Sequence, residues 1–273
     1  MTYRQLINDL EQLNIEKEAI ILLITEKLNI KKYDLILSLD KEIDSIILDD
    51  INQLKQGIPV QYILGYTYFY KSKFKVNKNV LIPRFDTEVL IEETIKIIDK
   101  YYNDKNIDIV DIGTGSGCIA ISLKQERNNI NIDAIDISND ALTVARENAK
   151  DNNVNINFIN NDLLNNINKK YDIIVSNPPY IDINENIDNL VKNNEPHLAL
   201  YSPNKGLYHY ERILIQSKNN LKENGFIIFE IPSNRDDELI ELVNKYYNNN
   251  NNINNIVIIK DYNKLSRVLI IRS

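Results

Sequence analysis

From residue 86 onward, β-branched runs alternate with segments of helical periodicity, and this rhythm limits the fold more than any other feature of the chain. "NIDIVDI", "INIDAIDI", "VNINFI", "YDIIVS" and "GFIIFEI" read as strands. Segments near 86–100, 117–127, 139–150, 206–222 and 235–247 read as helices. Strands separated by helices pair in parallel, which predicts an α/β sheet with helices on both faces. The last two strands, "NIVIIKD" and "SRVLIIR", are joined by "YNKL" alone and are expected to form an antiparallel hairpin at an edge. Ligands of such a sheet lie beyond the carboxyl ends of its strands.

The region before it is built differently. Between Tyr3 and Lys55, Leu6, Leu10 and Leu13, then Ile20, Leu23, Ile24 and Leu28, then Ile43, Ile47 and Ile51 recur at helical spacing. They predict a small helical module, punctuated by Gly57, Pro59 and Gly65 in "QGIPVQYILG". Residues 66–82 are aromatic and β-branched, with turns expected around Lys71–Lys73 and Asn77–Asn79, and read as one or two hairpin strands.

Composition narrows the function classes. One cysteine and two histidines leave no internal disulfide and no Cys/His metal cluster, so no metal is expected. The lone cysteine suits a reducing cytoplasm. "MTYRQLINDLEQLN" lacks signal-peptide or transit character, and "AIILLI" is too short to span a bilayer, so no membrane partner is expected. The net charge of −7 disfavours a partner held mainly through phosphates. The Asn-rich tract at 246–255 reads as a solvated loop without function.

"DIGTGSGCIAI" sets Gly113, Thr114, Gly115, Ser116 and Gly117 between a predicted strand and a predicted helix, where glycines let a ligand approach the backbone. The spacing is neither the dinucleotide fingerprint nor a Walker phosphate cradle. Nineteen residues after Gly117 the second strand ends in Asp136, placed to accept both hydroxyls of a ribose. After the third strand, Asp162 is placed to accept from an adenine amine and Leu163 to pack on its ring. Ribose, adenine and a close-approach loop without a phosphate clamp describe S-adenosylmethionine. Cys118 reads as a small core residue rather than a nucleophile.

The fourth strand runs into Asn177, Pro178, Pro179 and Tyr180 at the same sheet edge. The prolines make a rigid shelf, because their φ is fixed. A planar –NH2 group could give its hydrogens to the Asn177 side-chain oxygen and the Pro178 carbonyl, against the aromatic wall of Tyr180. Adenine, cytosine, guanine and glutamine side chains all present such a group.

"PVQYILG" (59–65), "VLIPRFDTEVL" (80–90), "DIGTGSGCIAI" (111–121), "IDISNDAL" (135–142), "SNPPYI" (176–181), "NNEPHLALYSPNKGLYHYERI" (193–213) and "KDYNKLSRVLI" (260–270) occur in this order. Together they resemble the release factor glutamine methyltransferases over nearly the whole chain. The resemblance implies a seven-stranded Rossmann-like class I methyltransferase sheet, a small all-α N-terminal domain and a β-hairpin linker. The implied division is 1–65 for substrate recognition, 66–84 for the linker and 85–273 for the methyltransferase domain. It implies methyl transfer from S-adenosyl-L-methionine to the glutamine amide in the Gly-Gly-Gln loop of peptide chain release factors, with no direct nucleic-acid substrate. Asn177, Pro178 and Tyr180 would be catalytic and, with Pro179, hold the glutamine. Gly113 to Gly117, Asp136 and Leu163 would contact the cofactor, with Asn177 between both ligands.

Two departures from the family pattern stand out: Phe85-Asp86 in place of Pro-Glu, and "PSNRDDE" where Gly and then Gln are common. The competing readings are a glutamine methyltransferase for a ribosomal protein, a base-amine methyltransferase on nucleic acid, and a cofactor-binding adaptor without catalysis. His197 reads as structural and His209 as packing or surface.

Overall fold

The computed structural model describes residues 1–103, 105–247 and 256–273, so most of the Asn-rich tract lies outside the described residues. Helices α1 (Tyr3–Gln12), α2 (Lys17–Leu28), α3 (Lys32–Leu37), α4 (Leu48–Lys55) and α5 (Val60–Leu64) make up the helical region. Thr2 and Gln5 close a reciprocal capping box at the start of α1, satisfying two backbone donors that the first turn leaves unpaired. Asn29 closes α2 in the left-handed conformation, at φ 51°. Leu6, Leu10, Ile20, Leu23, Ile24, Ile47 and Ile51 bury together in one core, as their spacing predicts. Leu13, by contrast, is exposed at the helix end. Gly57 and Gly65 interrupt the helices as expected, but the five residues of α5 fold between them.

Strands β1 (Tyr66–Phe69) and β2 (Ser72–Lys75) form a single hairpin. It reverses at Tyr70–Lys71, one residue before the expected turn. Then come α6 (Asp86–Ile97), β3 (Ile107–Ile112), α7 (Cys118–Glu126), β4 (Ile130–Asp136), α8 (Asn139–Asp151), β5 (Asn157–Asn160) and β6 (Tyr171–Ser176). The loop expected after β6 carries short elements of its own: β7 (Ile181–Asp182), α9 (Asn189–Asn194), α10 (His197–Leu200) and β8 (Tyr201–Ser202). Helix α11 (Tyr208–Asn220), β9 (Leu221–Glu230), α12 (Asp236–Tyr247), β10 (Ile256–Lys260) and β11 (Ser266–Arg272) complete the order.

The main sheet has seven strands in the order β10-β11-β9-β6-β3-β4-β5. Strands β5, β4, β3, β6 and β9 are parallel, while β11 is antiparallel to both β9 and β10. The terminal hairpin therefore has β10 at the outer edge. In β3, Ile107 and Ile109 pack on one face and Val110 and Ile112 on the other, so both faces of the strand are buried. From β3 the chain moves to β4 on one side and later to β6 on the other. The β3/β6 boundary is thus the topological switch point, where the loops beyond the strands splay apart and leave a crevice. No helix among the described residues is long and apolar enough to cross a membrane.

Candidate active site

Two loops meet at the switch point. Ile112 of β3 pairs with Ser176 of β6, so Gly113 and Asn177 leave adjacent strands at the same level. The Ser176 hydroxyl donates to the Ile112 carbonyl at 2.7 Å and locks the two strand ends together.

The Gly-rich loop is fastened to β4. The Gly113 and Thr114 N–H groups both donate to the Ile135 carbonyl, at 2.8 and 3.0 Å. Gly115 N–H donates to Asp136 Oδ2 and Ser138 N–H to Asp136 Oδ1, each at 2.9 Å. Burial pushes the Asp136 carboxyl up from the ordinary range, against these backbone donors. Gly113 has φ 73° and Gly115 φ 55°; a Cβ added at Gly113 would meet nothing within 4 Å, and one at Gly115 only the Gly113 carbonyl at 4.0 Å. The protein thus leaves open volume over a loop whose left-handed turns themselves favour glycine. Behind it, Asp111 is fully buried: Thr114 Oγ1 donates to its Oδ2 at 2.6 Å, while its Oδ1 has no partner. Burial pushes this carboxyl up to about 7. An open glycine cradle, a carboxylate at the second strand end and a buried, partly unpartnered acid form a donor set that fits the amino acid and ribose of S-adenosylmethionine. Ile137 follows Asp136 and stays 57% exposed, an apolar surface beside the carboxylate that a purine face could cover.

Asp162 and Leu163 lie in the loop after β5, and Leu163 adopts a left-handed φ of 53°. Both Asp162 oxygens are engaged by Arg212, at 2.9 and 2.7 Å, and this pair holds the Asp162 carboxyl below its usual range. Any adenine amine would therefore meet a carboxylate already fixed in place. Arg212 belongs to a stripe on α11 with four-residue spacing that grips this loop. Gln216 accepts from the Leu164 N–H and donates to Asn165, both at 2.8 Å. Asn220 donates to the carbonyls of Ile167 and Lys169.

Asn177, Pro178 and Tyr180 line a cleft of about 240 Å³ together with Leu81, Arg84, Ile187, Leu200 and Glu230. Pro179 is half-buried beside them. Asn177 Nδ2 donates to Thr87 Oγ1 at 3.3 Å, which turns the amide nitrogen toward α6 and leaves its oxygen available. Burial pushes the Tyr180 hydroxyl well above its usual range, with Glu230 adding to the rise. The phenol therefore stays neutral.

The flanking motifs close the cleft. Glu195, buried at the end of α9, pairs with the Arg84 guanidinium and accepts the Ile82 N–H at 3.1 Å, tying "IPR" to "EPHLAL". Asn194 donates to the Gly57 carbonyl and Tyr62 to the Val80 carbonyl, joining the helical region to this cover. At the first departure, Asp86 still pairs with Arg267 of β11 at 3.1 Å, while Phe85 lies exposed. At the second, Asp236 accepts the Ser266 hydroxyl at 2.6 Å and Arg235 stands 3.8 Å from Glu185 of the cover. His197 contacts the Lys192 carbonyl and sets its ring edge-on to Tyr201; His209 bonds Ser202. Cys118 is buried in the core, which pushes its thiol up to about 12.

Sequence reading did not single out Asp111, Thr87 or Glu230. Each stood in a quoted motif, and Asp111 and Glu230 are acids close to the carboxyl ends of their strands, where ligands bind.

The methyltransferase small domain family matches residues 87–199. A release factor glutamine methyltransferase from Flavobacterium psychrophilum is 45% identical over 226 residues, covering 80% of this chain and 79% of that protein. One from Francisella tularensis is 38% identical over 258 residues, covering 92% of this chain and 88% of that protein. A methyltransferase structure from Pyrococcus furiosus, 17% identical, covers 73% of this chain and 87% of its own at a TM-score of 0.52, and shares the fold alone. With such identity sustained over most of its length, this chain belongs to the release factor glutamine methyltransferase family.

Proposed function

We propose that this protein transfers a methyl group from S-adenosylmethionine to the side-chain amide nitrogen of a release-factor glutamine, the one in the Gly-Gly-Gln loop. The observation that carries the reading is the Asn177–Thr87 contact beside the Gly-rich loop. It leaves the Asn177 oxygen free at the one point where an amide could face the cofactor. When bound, S-adenosylmethionine supplies an electrophilic methyl carbon on a sulfonium.

The protein's own groups then have distinct tasks. Asn177 Oδ1 and the Pro178 carbonyl accept the two amide hydrogens and hold the amide plane still, which replaces entropy lost in the encounter. Tyr180 walls the flat group as a neutral ring. Gly113 to Gly117 approach the cofactor's amino-acid end, Asp136 accepts the ribose hydroxyls, and Asp162 with Leu163 and Ile137 borders the adenine. The cover is pinned beside the cleft by Glu195, which holds Arg84 and the Ile82 N–H.

Treatment of a release factor with the enzyme and cofactor is expected to add one methyl to the Gly-Gly-Gln peptide, read by mass spectrometry. A release factor with that glutamine replaced by alanine should stay unlabelled; equal labelling of both overturns the proposal. Label in nucleic acid instead would point to a base-amine methyltransferase.

The Arg212–Asp162 pair gives a second test. Arg212→Leu is expected to weaken S-adenosylhomocysteine binding about tenfold, or ~1.4 kcal/mol, because Asp162 loses its fixed orientation. Calorimetry showing unchanged affinity would separate Asp162 from adenine recognition.

A further inference from the structure

We infer that Glu230 is the proton acceptor of the methyl-transfer step, taking one hydrogen from the substrate amide as its nitrogen is methylated. The inference rests on the function proposed above. Ser176 of β6 pairs with Phe229 of β9, so Glu230 stands one residue further along, beside Asn177 at the sheet edge. It lines the same cleft as Asn177, Pro178 and Tyr180. Only 3% of the residue is exposed, and its Oε2 has no partner. A buried carboxylate oxygen without a donor is costly to maintain. The residue also lines the cleft, so an amide bound there is the group placed to approach this carboxyl.

The surroundings tune this group for proton uptake near neutrality. Burial is the largest influence and, with Asp86 of α6, pushes the carboxyl up to about 7. The Thr87 hydroxyl, Arg267 of β11 and the Asn177 amide oppose that rise. The charge of Glu230 is felt by Tyr180, Tyr210 of α11 and Cys118 of α7, all held neutral by burial. Among the described residues, no other residue lining the cleft is a carboxylate, and Arg84 is a cation.

The chemistry needs such an acceptor. An amide nitrogen shares its lone pair with the carbonyl. When that pair forms the bond to the methyl carbon, the carbon–sulfur bond breaks and its electrons leave with sulfur. The nitrogen then carries positive charge and an acidic N–H. Asn177 Oδ1 and the Pro178 carbonyl can accept a hydrogen bond but hold no proton at neutral pH. As the nitrogen turns tetrahedral, the N–H held by Asn177 Oδ1 can swing to the neighbouring Glu230, which takes the proton and ends as a neutral carboxylic acid beside a neutral N-methyl amide, later returning the proton to water. General-base assistance of this kind contributes about 10²–10⁴-fold.

Single-turnover methylation of a release factor tests the assignment. Glu230→Gln, which keeps the shape but accepts no proton, is expected to fall at least about 10²-fold in rate. Its affinity for S-adenosylhomocysteine should stay within twofold. Glu230→Asp should retain more activity than Glu230→Gln; a merely structural role would rank them the other way. The wild-type rate should rise between pH 6 and 8, and Glu230→Gln, which leaves Asp111 in place, should lose that rise. Carboxyl NMR of the ligand-free protein should show Glu230 titrating in the same interval. A Glu230→Gln enzyme within threefold of wild type, a flat rate profile, or a Glu230 titration below pH 5 overturns the inference alone. A wild type that methylates no Gly-Gly-Gln peptide overturns the proposed function, and the inference with it.

Discussion

Replacing Asn177 with alanine is expected to lower kcat about 10³-fold while S-adenosylhomocysteine affinity stays within a few-fold. The split follows from what the side chain touches. Its nitrogen is held by Thr87, and its oxygen accepts no hydrogen bond among the described residues. Removing the amide leaves the Gly-rich loop intact, because that loop hangs from Ile135 and Asp136 of the neighbouring strand rather than from β6. What disappears, on the proposed function, is the acceptor that would steady the incoming amide and the positive charge growing on its nitrogen. Calorimetry with single-turnover kinetics separates the two effects. A kcat within threefold of wild type would remove Asn177 from the mechanism, and a large loss of cofactor affinity would make it mainly a cofactor residue.

Gly206→Ala is expected to damage the site as severely, from outside it. Gly206 precedes α11 with φ 83°, and a Cβ built there would stand 2.1 Å from the Tyr180 carbonyl oxygen and 2.9 Å from its carbonyl carbon. Both are backbone atoms, so no side-chain rotation relieves the clash. The left-handed conformation alone costs alanine about 1 kcal/mol. With the displacement of Tyr180 the total is expected to reach about 3 kcal/mol. For a chain of this size that lowers Tm by roughly 6–10 °C. Tyr180 closes the Asn177–Pro178–Pro179 shelf, and a shift of about 1 Å there costs on the order of 10²-fold in rate. Thermal unfolding and kcat should therefore fall together. An alanine variant with wild-type Tm and kcat would show that the loop yields without consequence.

Much of this architecture was legible in the sequence because periodicity reports burial directly. "YDIIVS" is β6 at its full length, and the helical spacing of Leu6, Leu10, Ile20 and Leu23 marks a real core. Strand β5 starts three residues later than "VNINFI" suggests: it is the edge strand, half-exposed, and edge positions carry weak apolar patterning. The short elements inside residues 181–202 were missed for a related reason. Two-residue strands and four-residue helices are held by tertiary contacts such as Glu195 with Arg84, which no local pattern announces. The site divides in the same way. The loops around Gly113 and Asn177 declare themselves by residue type, whereas Arg212 and Thr87 reach the site through partners far along the chain, and Glu230 through its register beside Asn177 in the β6–β9 pair. Asp162 was legible as an acid after β5, but its engagement by Arg212, fifty residues on, was not.

Asparagine has a conformational meaning in this molecule. Among the described residues, seven of the eleven non-glycine residues with positive φ are asparagines, Asn29 at the end of α2 and Asn153 just beyond α8 among them. Asparagine tolerates that region because its short amide can bond to nearby backbone. Rewriting these seven as glycine would ask for no new space, since each requires only a backbone angle. Gly206 adds a second demand: besides its φ of 83° it requires an empty volume, which no side chain can supply. A chain with only seven glycines thus separates two demands that glycine-rich proteins blur together, the sign of a torsion and the absence of an atom.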